Sequence, residues 1–218
     1  MVYRDIIERF GLRNWRALEM FLESCISSNA ALFSVHKVYN SLKSQGLRVS
    51  KKTLYAYQKI VEDLNFGFFL RKLEPSRGKA AASIPKFYLV DNGIYTYFEG
   101  ENLGRLMENA LSLELVKMGY TPNVDLFYWS ARGGEVDFVA GKGGKAKLIQ
   151  VTYAGGLDEV ERRELEALVK ASRSLGSANL EVVTWSYEDA LDVEGRKVSF
   201  IPLWKWLLAE SAVENFDG

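Results

Sequence analysis

Cysteine and histidine are the scarcest chemistry-bearing residues of this 218-residue chain, which has one of each, Cys25 and His36. A single cysteine excludes a disulfide framework and a cysteine-rich zinc site, and a single histidine excludes any site that needs two. The sequence shows neither a signal-type N-terminus nor an apolar run of the roughly 18 residues that a membrane span requires. We therefore expect a cytoplasmic protein without membrane contact, in which Cys25 is a small core residue.

A nucleotide-binding loop is also missing. No stretch matches the G-x-x-x-x-G-K-[ST] pattern, in which backbone amides cradle the phosphates and the hydroxyl binds the metal ion. The nearest strings, at Arg77–Ala80 and Gly141–Gly143, lack both the loop spacing and that hydroxyl. We therefore expect no ATPase activity and no nucleotide cofactor.

Net charge is zero for the whole chain but not for its halves. Residues 1–98 contain 15 Lys and Arg against 8 Asp and Glu, so residues 99–218 contain the remaining 13 against 20. The opposite signs predict two modules, a basic domain over 1–98 and an acidic domain over 99–218. The basic half is better suited to meeting phosphate, although two halves of opposite charge would also attract each other.

Helical patterns fill most of the basic half. Apolar spacing predicts a helix over Asp5–Phe10 and further helices that begin after Asn14, Ser34 and Ser50, whose side chains can cap them. Two predicted strands around a polar, basic loop come next, at Phe66–Leu73 and Lys86–Val90. A helix-turn-helix followed by two strands around a basic loop is typical of a winged helix.

A helix-turn-helix places its second helix in the major groove of DNA, led by the N-terminal residues of that helix. Lys51 and Lys52 are therefore predicted to bind phosphates, and Gln58 to read a base edge. The predicted DNA contacts on this helix and on the wing are Lys51, Lys52, Thr53, Gln58, Lys59, Arg71, Lys72, Arg77 and Lys79. The same pattern also fits a packing or dimerisation module, because lysine is a common solubilising residue on exposed helices.

The acidic half alternates helices and strands. Its predicted elements are a helix from Leu103 to Met118, strands at Asp125–Trp129, Glu135–Ala140 and Lys147–Tyr153, a helix at Asp158–Leu175, strands at Leu180–Trp185 and Val198–Pro202, and a closing helix at Leu203–Leu208. This order predicts an α/β domain (α+β for the whole chain) with a mixed sheet flanked by helices. The five tryptophans are interpreted as core anchors.

A predicted hairpin over residues 128–153 carries the most informative side chains. Glu135 and Asp137 are two residues apart on one strand and are therefore expected on one face, near Gln150 of the partner strand. Glu108, on the preceding helix, can complete the cluster. Two carboxylates on one face repel unless a cation or a base lies between them, so the cluster predicts a metal ion or a basic partner.

Several short motifs of the acidic half, in the same order, are similar to the C-terminal domain of archaeal AAA-type ATPases. The matching segments are Gly104–Asn109, Tyr128–Trp129, Gly134–Val139, Leu148–Tyr153 and Ile201–Leu208. By resemblance this domain has the PD-(D/E)XK fold of restriction enzymes and archaeal Holliday-junction resolvases, and it follows a winged-helix segment. The resemblance covers nearly the whole chain but not the ATPase core, and it fits both a stand-alone protein and a fragment of a longer ATPase.

The resemblance implies a site in which carboxylates hold Mg²⁺ or Mn²⁺, which activates water and stabilises the leaving phosphate oxygen. The implied catalytic positions are Glu108, Asp137, Gln150 and Thr152, and the implied metal ligands are Glu108, Glu135, Asp137 and Gln150. Gln150 stands at a carboxylate position but brings no charge, and Thr152 stands where the family has a lysine. Removing such an electrostatic contact typically lowers the rate by roughly 10²–10³. Lys147 is expected on the other strand face, an odd number of residues from Gln150.

Three functions are compatible with these observations. The first is a nuclease-like module that associates with duplex or branched DNA and cleaves it weakly or not at all. The second is an active Mg²⁺-dependent DNA endonuclease, and the third is a protein-interaction domain that regulates an ATPase without touching nucleic acid. The resemblance also fits an ATPase partner and a homodimer, since nuclease relatives often act as pairs of sites.

Overall fold

The protein is described here from a computed structural model, over residues 15–142, 145–177 and 179–213. The chain divides into two compact units, Met1–Phe69 with Pro85–Gly100, and Leu70–Ile84 with Glu101–Gly218. The expected boundary between residues 98 and 99 lies close to the break after Gly100. The second unit also includes residues 70–84, which the sequence had assigned to the basic domain.

The first unit consists of helices and a small sheet. Its elements are α1 (Trp15–Ser27), β1 (Ala31–Leu32), α2 (Val35–Ser44), α3 (Lys51–Asp63), β2 (Gly67–Leu70), β3 (Lys86–Leu89) and α5 (Asn92–Glu99). The short helix α4 (Arg77–Ala82), between β2 and β3 along the chain, belongs to the second unit. The three strands form one sheet in the order β1-β3-β2. Helix, strand, two helices and two paired strands follow one another, as expected for the winged-helix half of the fold. The predicted helix at Asp5–Phe10 and the cap at Asn14 lie outside the described residues.

Two predicted helix caps are confirmed in this unit. The Ser34 hydroxyl accepts a hydrogen bond from the backbone N–H of Lys37 at 3.3 Å, and the Ser50 hydroxyl accepts one from Thr53 at 3.1 Å. Each bond satisfies an amide that has no partner within the first turn of its helix. The starts of α2 and α3 are therefore fixed by local sequence.

Aromatic rings fill the core of the first unit. The Phe33 ring centroid lies 5.3 Å from that of Phe21 and 5.2 Å from that of Phe69. Cys25 is buried on α1, as predicted. Gly67 is required at the start of β2, because a Cβ there would lie 2.3 Å from the Phe87 ring. A larger residue at position 67 would therefore collide with the neighbouring strand β3.

The second unit has a six-stranded mixed sheet flanked by helices, as predicted. Its elements are α6 (Leu103–Lys117), β4 (Leu126–Ala131), β5 (Gly134–Lys142), β6 (Lys145–Val151), a 3₁₀ turn (Leu157–Glu159), α7 (Arg162–Leu175), β7 (Asn179–Thr184), β8 (Asp189–Val193), β9 (Arg196–Pro202) and α8 (Leu203–Val213). The strand order is β4-β5-β6-β7-β9-β8. The strands β6, β7 and β9 are parallel to one another, and the other pairs are antiparallel.

The two faces of this sheet are covered by different helices. Leu168 and Ala171 of α7 belong to one buried apolar cluster with Leu148 of β6 and Val182 of β7. Since strand side chains alternate, Lys147 and Glu181 lie on the other face. There the Lys147 ammonium lies 3.2 Å from the Glu181 carboxylate, whose other oxygen accepts a hydrogen bond from the indole of Trp206 on α8. The expectation that Lys147 lies on the face opposite Gln150 is confirmed.

Four short elements were not predicted from the sequence: β1, α4, α5 and β8. The expected continuous helix over Asp158–Leu175 is instead a 3₁₀ turn followed by α7. Strands of two to five residues carry too little periodicity to be recognised, and α4 lies in a stretch that polar residues and Pro75 mark as a loop. Every helix in the described part of the chain is too short or too polar to cross a membrane.

Candidate functional site

A bulge in β5 positions Asp137. Trp129 pairs with Val136 and Phe127 pairs with Val139, so β5 has one residue more than β4 between these pairs. Asp137 lies within the extra segment and is 4% exposed. Its Oδ2 atom accepts a hydrogen bond of 2.9 Å from the backbone N–H of Val151 at the end of β6. The bulge therefore turns an acidic side chain toward the carboxyl end of β6.

Gln150 and Thr152 lie at the same end of β6. Gln150 alternates with Ile149 and shares a strand face with Leu148, so its side chain is on the face that α7 covers. It is 6% exposed, and its Oε1 atom has no hydrogen-bond partner within the described part of the chain. A buried amide oxygen without a donor costs about 1–3 kcal/mol. This oxygen is thus an unsatisfied acceptor at the predicted metal position.

Glu164, on α7, completes the cluster and was not predicted. The pKa of Glu164 is raised from 4.5 to about 7, first by burial and then by the negative charges of Asp137 and Glu161, against a hydrogen bond from Thr152 and the charge of Arg163. Its Oε2 atom is buried without a hydrogen-bond partner among the described residues. Asp137, Gln150, Thr152 and Glu164 together are called the edge pocket below.

Close packing of α7 on β5 brings Glu164 to this pocket. A Cβ added at Gly134 would lie 2.4 Å from the Cβ of Ala167, so a glycine there lets the helix approach the strand. The sequence did contain one signal for Glu164. It lies four residues after Val160 and four before Leu168, at a position where the apolar stripe of the helix should continue. A carboxylate on an inward stripe indicates either a buried partner or a site.

Glu108 and Glu135, the other two predicted metal ligands, lie on different elements, α6 and the start of β5. Glu108 is partly buried on α6, a helix that contacts β6 and α8 and contributes no residue to the apolar cluster under α7. Glu135 alternates with Gly134 and Val136, which lie on the α7 side, so it is on the opposite face. The bulge removes the expected shared face of Glu135 and Asp137. The ligand roles of Glu108 and Glu135 stay predictions.

The edge pocket offers only oxygen donors. Carboxylates and amide oxygens are the ligands that Mg²⁺ and Mn²⁺ prefer, and the unsatisfied oxygens of Gln150 and Glu164 fit such an ion. Within the described ranges, however, no group of three or more His, Cys, Asp or Glu residues is arranged to hold a metal ion. Two carboxylates and one amide therefore fit a weak cation site.

The predicted DNA-contacting residues of α3 form an exposed face. Lys51, Lys52, Tyr55 and Lys59 are exposed, whereas Leu54, Tyr57, Ile60 and Val61 are buried on the other side of the helix. The Lys51 ammonium lies 5.4 Å from the centroid of the Tyr39 ring. Thr53 uses its hydroxyl in a bond of 2.9 Å to Ser50, and Gln58 is partly buried. The lysines are thus the groups of α3 best placed to meet a phosphate.

The predicted basic wing is organised differently from the expected loop. Leu73 donates a backbone hydrogen bond of 2.7 Å to Tyr128 of β4, and the Tyr128 N–H returns one of 3.2 Å to Arg71. Lys72 forms an ion pair of 2.7 Å with Glu74. Arg77 begins α4, and Lys79 is exposed on this helix. The expected basic loop is therefore paired in part with β4 and is partly helical.

The tryptophans divide into two groups. Trp129 and Trp206 are buried, at 7% and 2% exposure, which confirms the interpretation as core anchors. Trp15, Trp185 and Trp204 are 55%, 47% and 56% exposed, so for these three the interpretation was wrong. The composition of the chain does not show which of its tryptophan side chains are buried.

Two family models match the chain. Residues 1–104 match a domain of unknown function (DUF8612), and residues 103–206 match another (DUF4143). DUF4143 is a domain found in the C-terminal regions of AAA-like ATPases. The predicted similarity to those regions is confirmed at this level for the acidic half.

Two curated relatives cover nearly the whole chain. One is an uncharacterized protein of Methanocaldococcus jannaschii, 31% identical over 215 residues, with 94% of this chain and 47% of the relative covered. The other is an uncharacterized protein of Haemophilus influenzae, 24% identical over 208 residues, with 94% of this chain and 49% of the relative covered. The chain therefore spans about half the length of the relatives it matches.

Proposed function

We propose that this chain is a DNA-associated, nuclease-like module with a degenerate metal site. The first unit contacts duplex or branched DNA through the exposed lysines of α3, and the second unit cleaves DNA weakly or not at all. One observation supports the weak cleavage above all. At the position where the nuclease resemblance expects a lysine, the Thr152 hydroxyl is hydrogen-bonded to a second carboxylate, that of Glu164.

The edge pocket lacks the positive charge that an efficient phosphodiesterase site supplies. A cleaving site stabilises negative charge that develops on the phosphate, usually by a cationic side chain together with a metal ion. Here Thr152 supplies no charge, Gln150 is neutral, and Glu164 adds a carboxylate with a pKa of about 7. At neutral pH the pocket therefore repels a phosphate unless a cation is bound.

Asp137, Glu164 and Gln150 are the residues that would hold a divalent ion. Such an ion would supply a Lewis acid and lower the pKa of a bound water. Asp137 is held in place by the Val151 amide, so it would orient the ion without rearrangement of β6. The two unsatisfied oxygens of Gln150 and Glu164 favour this second candidate function, an active Mg²⁺-dependent endonuclease.

DNA binding is tested by salt titration with a fluorescent duplex and with a four-way junction. We expect wild-type affinity to fall with salt, and the variant Lys51→Ala/Lys52→Ala to bind roughly tenfold more weakly with a salt slope smaller by about 1.8. The double variant Lys37→Ala/Lys197→Ala removes the same charge from exposed positions elsewhere and is the control. Absence of DNA binding by wild type at low salt would favour the third function, a protein-interaction domain of an ATPase.

Cleavage is tested on the same substrates with Mg²⁺ and with Mn²⁺. We expect little or no product from wild type and none from Asp137→Ala. The variant Thr152→Lys restores the missing positive charge and should raise the rate if the pocket still holds a metal ion. Efficient cleavage by wild type that is lost in Asp137→Ala would contradict a degenerate site and establish the endonuclease.

A further inference from the structure

Aromatic residues follow the ends of three parallel strands of the second unit. Because β6, β7 and β9 are parallel, their carboxyl ends meet at one edge of the sheet. Tyr153 comes two residues after β6, Trp185 directly after β7, and Trp204 two residues after β9. These three side chains are 47%, 47% and 56% exposed. Large rings are thus repeated at an edge where ligands of such sheets commonly bind.

Tyr153 and Trp185 form a pair that is called the edge platform below. Their ring centroids are 5.4 Å apart, and their planes are inclined by 53°, so the rings do not cover one another face to face. Backbone bonds of 3.1 and 3.3 Å from Trp185 and Ser186 to the carbonyl of Ala154 hold the two loops together. The edge platform is therefore set in place by the sheet, with the outer ring surfaces open.

The edge platform adjoins the edge pocket along the chain. Tyr153 directly follows Thr152, whose amide donates a bond of 2.9 Å to the carbonyl of Val183 near the end of β7. A Cβ at Gly155 would lie 3.5 Å from the Ser186 hydroxyl, so the loops after β6 and β7 are in close proximity. The two loops that carry the rings therefore follow directly on the strand ends at which Thr152 and Val183 are paired.

We propose that the edge platform stacks unpaired nucleobases of single-stranded or branched DNA beside the edge pocket. The inference rests on the proposed function and names its substrate class. Every base has a π-face, so stacking on exposed aromatic rings is tolerant of sequence and needs bases that are not paired. An aliphatic patch would fit protein or lipid equally well, whereas two exposed aromatic rings offer π-faces on which a base can stack.

The acidic character of this half determines how the binding depends on ions. Residues 99–218 contain 20 Asp and Glu against 13 Lys and Arg, so they do not attract a phosphate backbone by themselves. Binding at the edge platform therefore rests on stacking of the bases and not on attraction of the phosphates. It should vary less with monovalent salt than the duplex binding through α3.

The test uses the full chain, a fluorescent oligothymidine of about 12 nucleotides and a duplex of equal length, both in Mg²⁺. We expect Trp185→Ala and Tyr153→Ala each to weaken oligothymidine binding by about 5- to 150-fold, with duplex binding unchanged. Trp15→Ala, which removes a tryptophan of similar exposure from the other unit, should change neither. Trp185→Phe keeps a ring and should restore most of the affinity.

Two results would overturn the inference. Unchanged oligothymidine binding by Trp185→Ala, with duplex binding intact, would reject the edge platform and leave the proposed function standing. Concentration-dependent self-association of wild type that Trp185→Ala abolishes, without any effect on oligothymidine, would assign the rings to a contact between copies of the chain. If the variant Lys51→Ala/Lys52→Ala lost duplex binding but bound oligothymidine as strongly as wild type, the result would support two separate sites.

Discussion

The two units differ in where they place their polar groups. Among the described residues, the first unit buries Asn29 and Lys86, and its remaining charges are on the surface. The second unit buries Asp137, Gln150 and Glu181, together with the amide or hydroxyl groups of Asn109, Ser112, Ser172, Ser177 and Thr184. Burial of polar groups opposes folding unless they are paired, so such groups concentrate where they have a role.

This difference indicates two ways of meeting a ligand. The first unit offers exposed lysines on a stable helical support, which favours binding that depends on charge and little on sequence. The second unit keeps unsatisfied oxygens at a strand end, which favours one defined ion or group. Variants in each unit can test whether the two units unfold separately and whether they bind ligands in different ways.

The largest expected effects on stability come from replacing one buried leucine in the core of each unit. Leu54 in α3 and Leu148 in β6 are both fully buried, so each change to alanine should lower the free energy of unfolding by about 2–5 kcal/mol. If the units fold separately, chemical denaturation should show two transitions, with one shifted by each variant. Trp129 and Trp206 report on the second unit by fluorescence. A single transition that both variants shift alike would show that the chain unfolds as one body.

Glycine replacement compares the close packing of the two units. Gly67→Ala would place a Cβ 2.3 Å from the Phe87 ring, and Gly134→Ala one 2.4 Å from Ala167, so each should cost about 1–3 kcal/mol. Gly78 has open space around its Cβ position, so Gly78→Ala is the control and should be neutral or slightly stabilising. Thermal unfolding measures all three. An unaffected Gly134→Ala would mean that α7 is not held closely on β5.

The raised pKa of Glu164 gives the edge pocket a dependence on pH. Burial first, and then the charge of Asp137, raise the pKa of this carboxyl from 4.5 to about 7 in the folded state. The folded protein thus holds a proton that the unfolded chain releases, so its contribution to stability is full below about pH 4.5 and is lost as the pH rises to about 7. Ionisation should cost about 1–2 kcal/mol, after a discount for solvent screening.

Glu164→Gln removes that dependence. In the presence of a chelator, the variant should be more stable than wild type by about 1–2 kcal/mol at pH 8 and equally stable near pH 4.5. Glu166→Gln, on the exposed side of the same helix, is the control and should not alter the pH profile. Parallel pH profiles of wild type and Glu164→Gln would refute the assigned environment of Glu164.

The smallest expected effects come from the helix caps. Ser50 caps α3 in the first unit and Asn102 caps α6 in the second, so each change to alanine should cost about 1 kcal/mol. Ser50→Ala should also weaken duplex binding, because it loosens the turn that carries Lys51 and Lys52. Asn102→Ala should leave duplex binding unchanged, and an equal loss in both variants would remove the functional distinction between the units.

Local sequence was sufficient where neighbouring residues set the structure. The caps at Ser34 and Ser50, the apolar stripes of α1 and α3, and the longer strands of the second unit all follow from short-range rules, because each depends on residues within a turn or a strand. The proximity of Asp137 to the end of β6, which carries Gln150, followed from the hairpin pattern in the same way.

Other features depended on contacts between distant residues. The bulge in β5 separates Glu135 from Asp137, although strict alternation places them on one face. Glu164 lies 27 positions after Asp137, and only the packing of α7 on the sheet brings its charge to that carboxylate. The segment over residues 71–73 pairs with β4 instead of forming a free wing, which no local pattern predicts.

The sequence by itself determined the opposite charges of the two halves, the starts of α2 and α3 and the lack of a nucleotide-binding motif, because composition and spacing along the chain are local properties. The tertiary structure decided which acidic and aromatic side chains meet. Thr152 could be recognised from the sequence as a residue that replaces a lysine, but its bond to Glu164 and the aromatic edge beside it arise from the parallel pairing of strands and the approach of α7. The distances between these side chains are fixed only when the strands pair and α7 packs against the sheet.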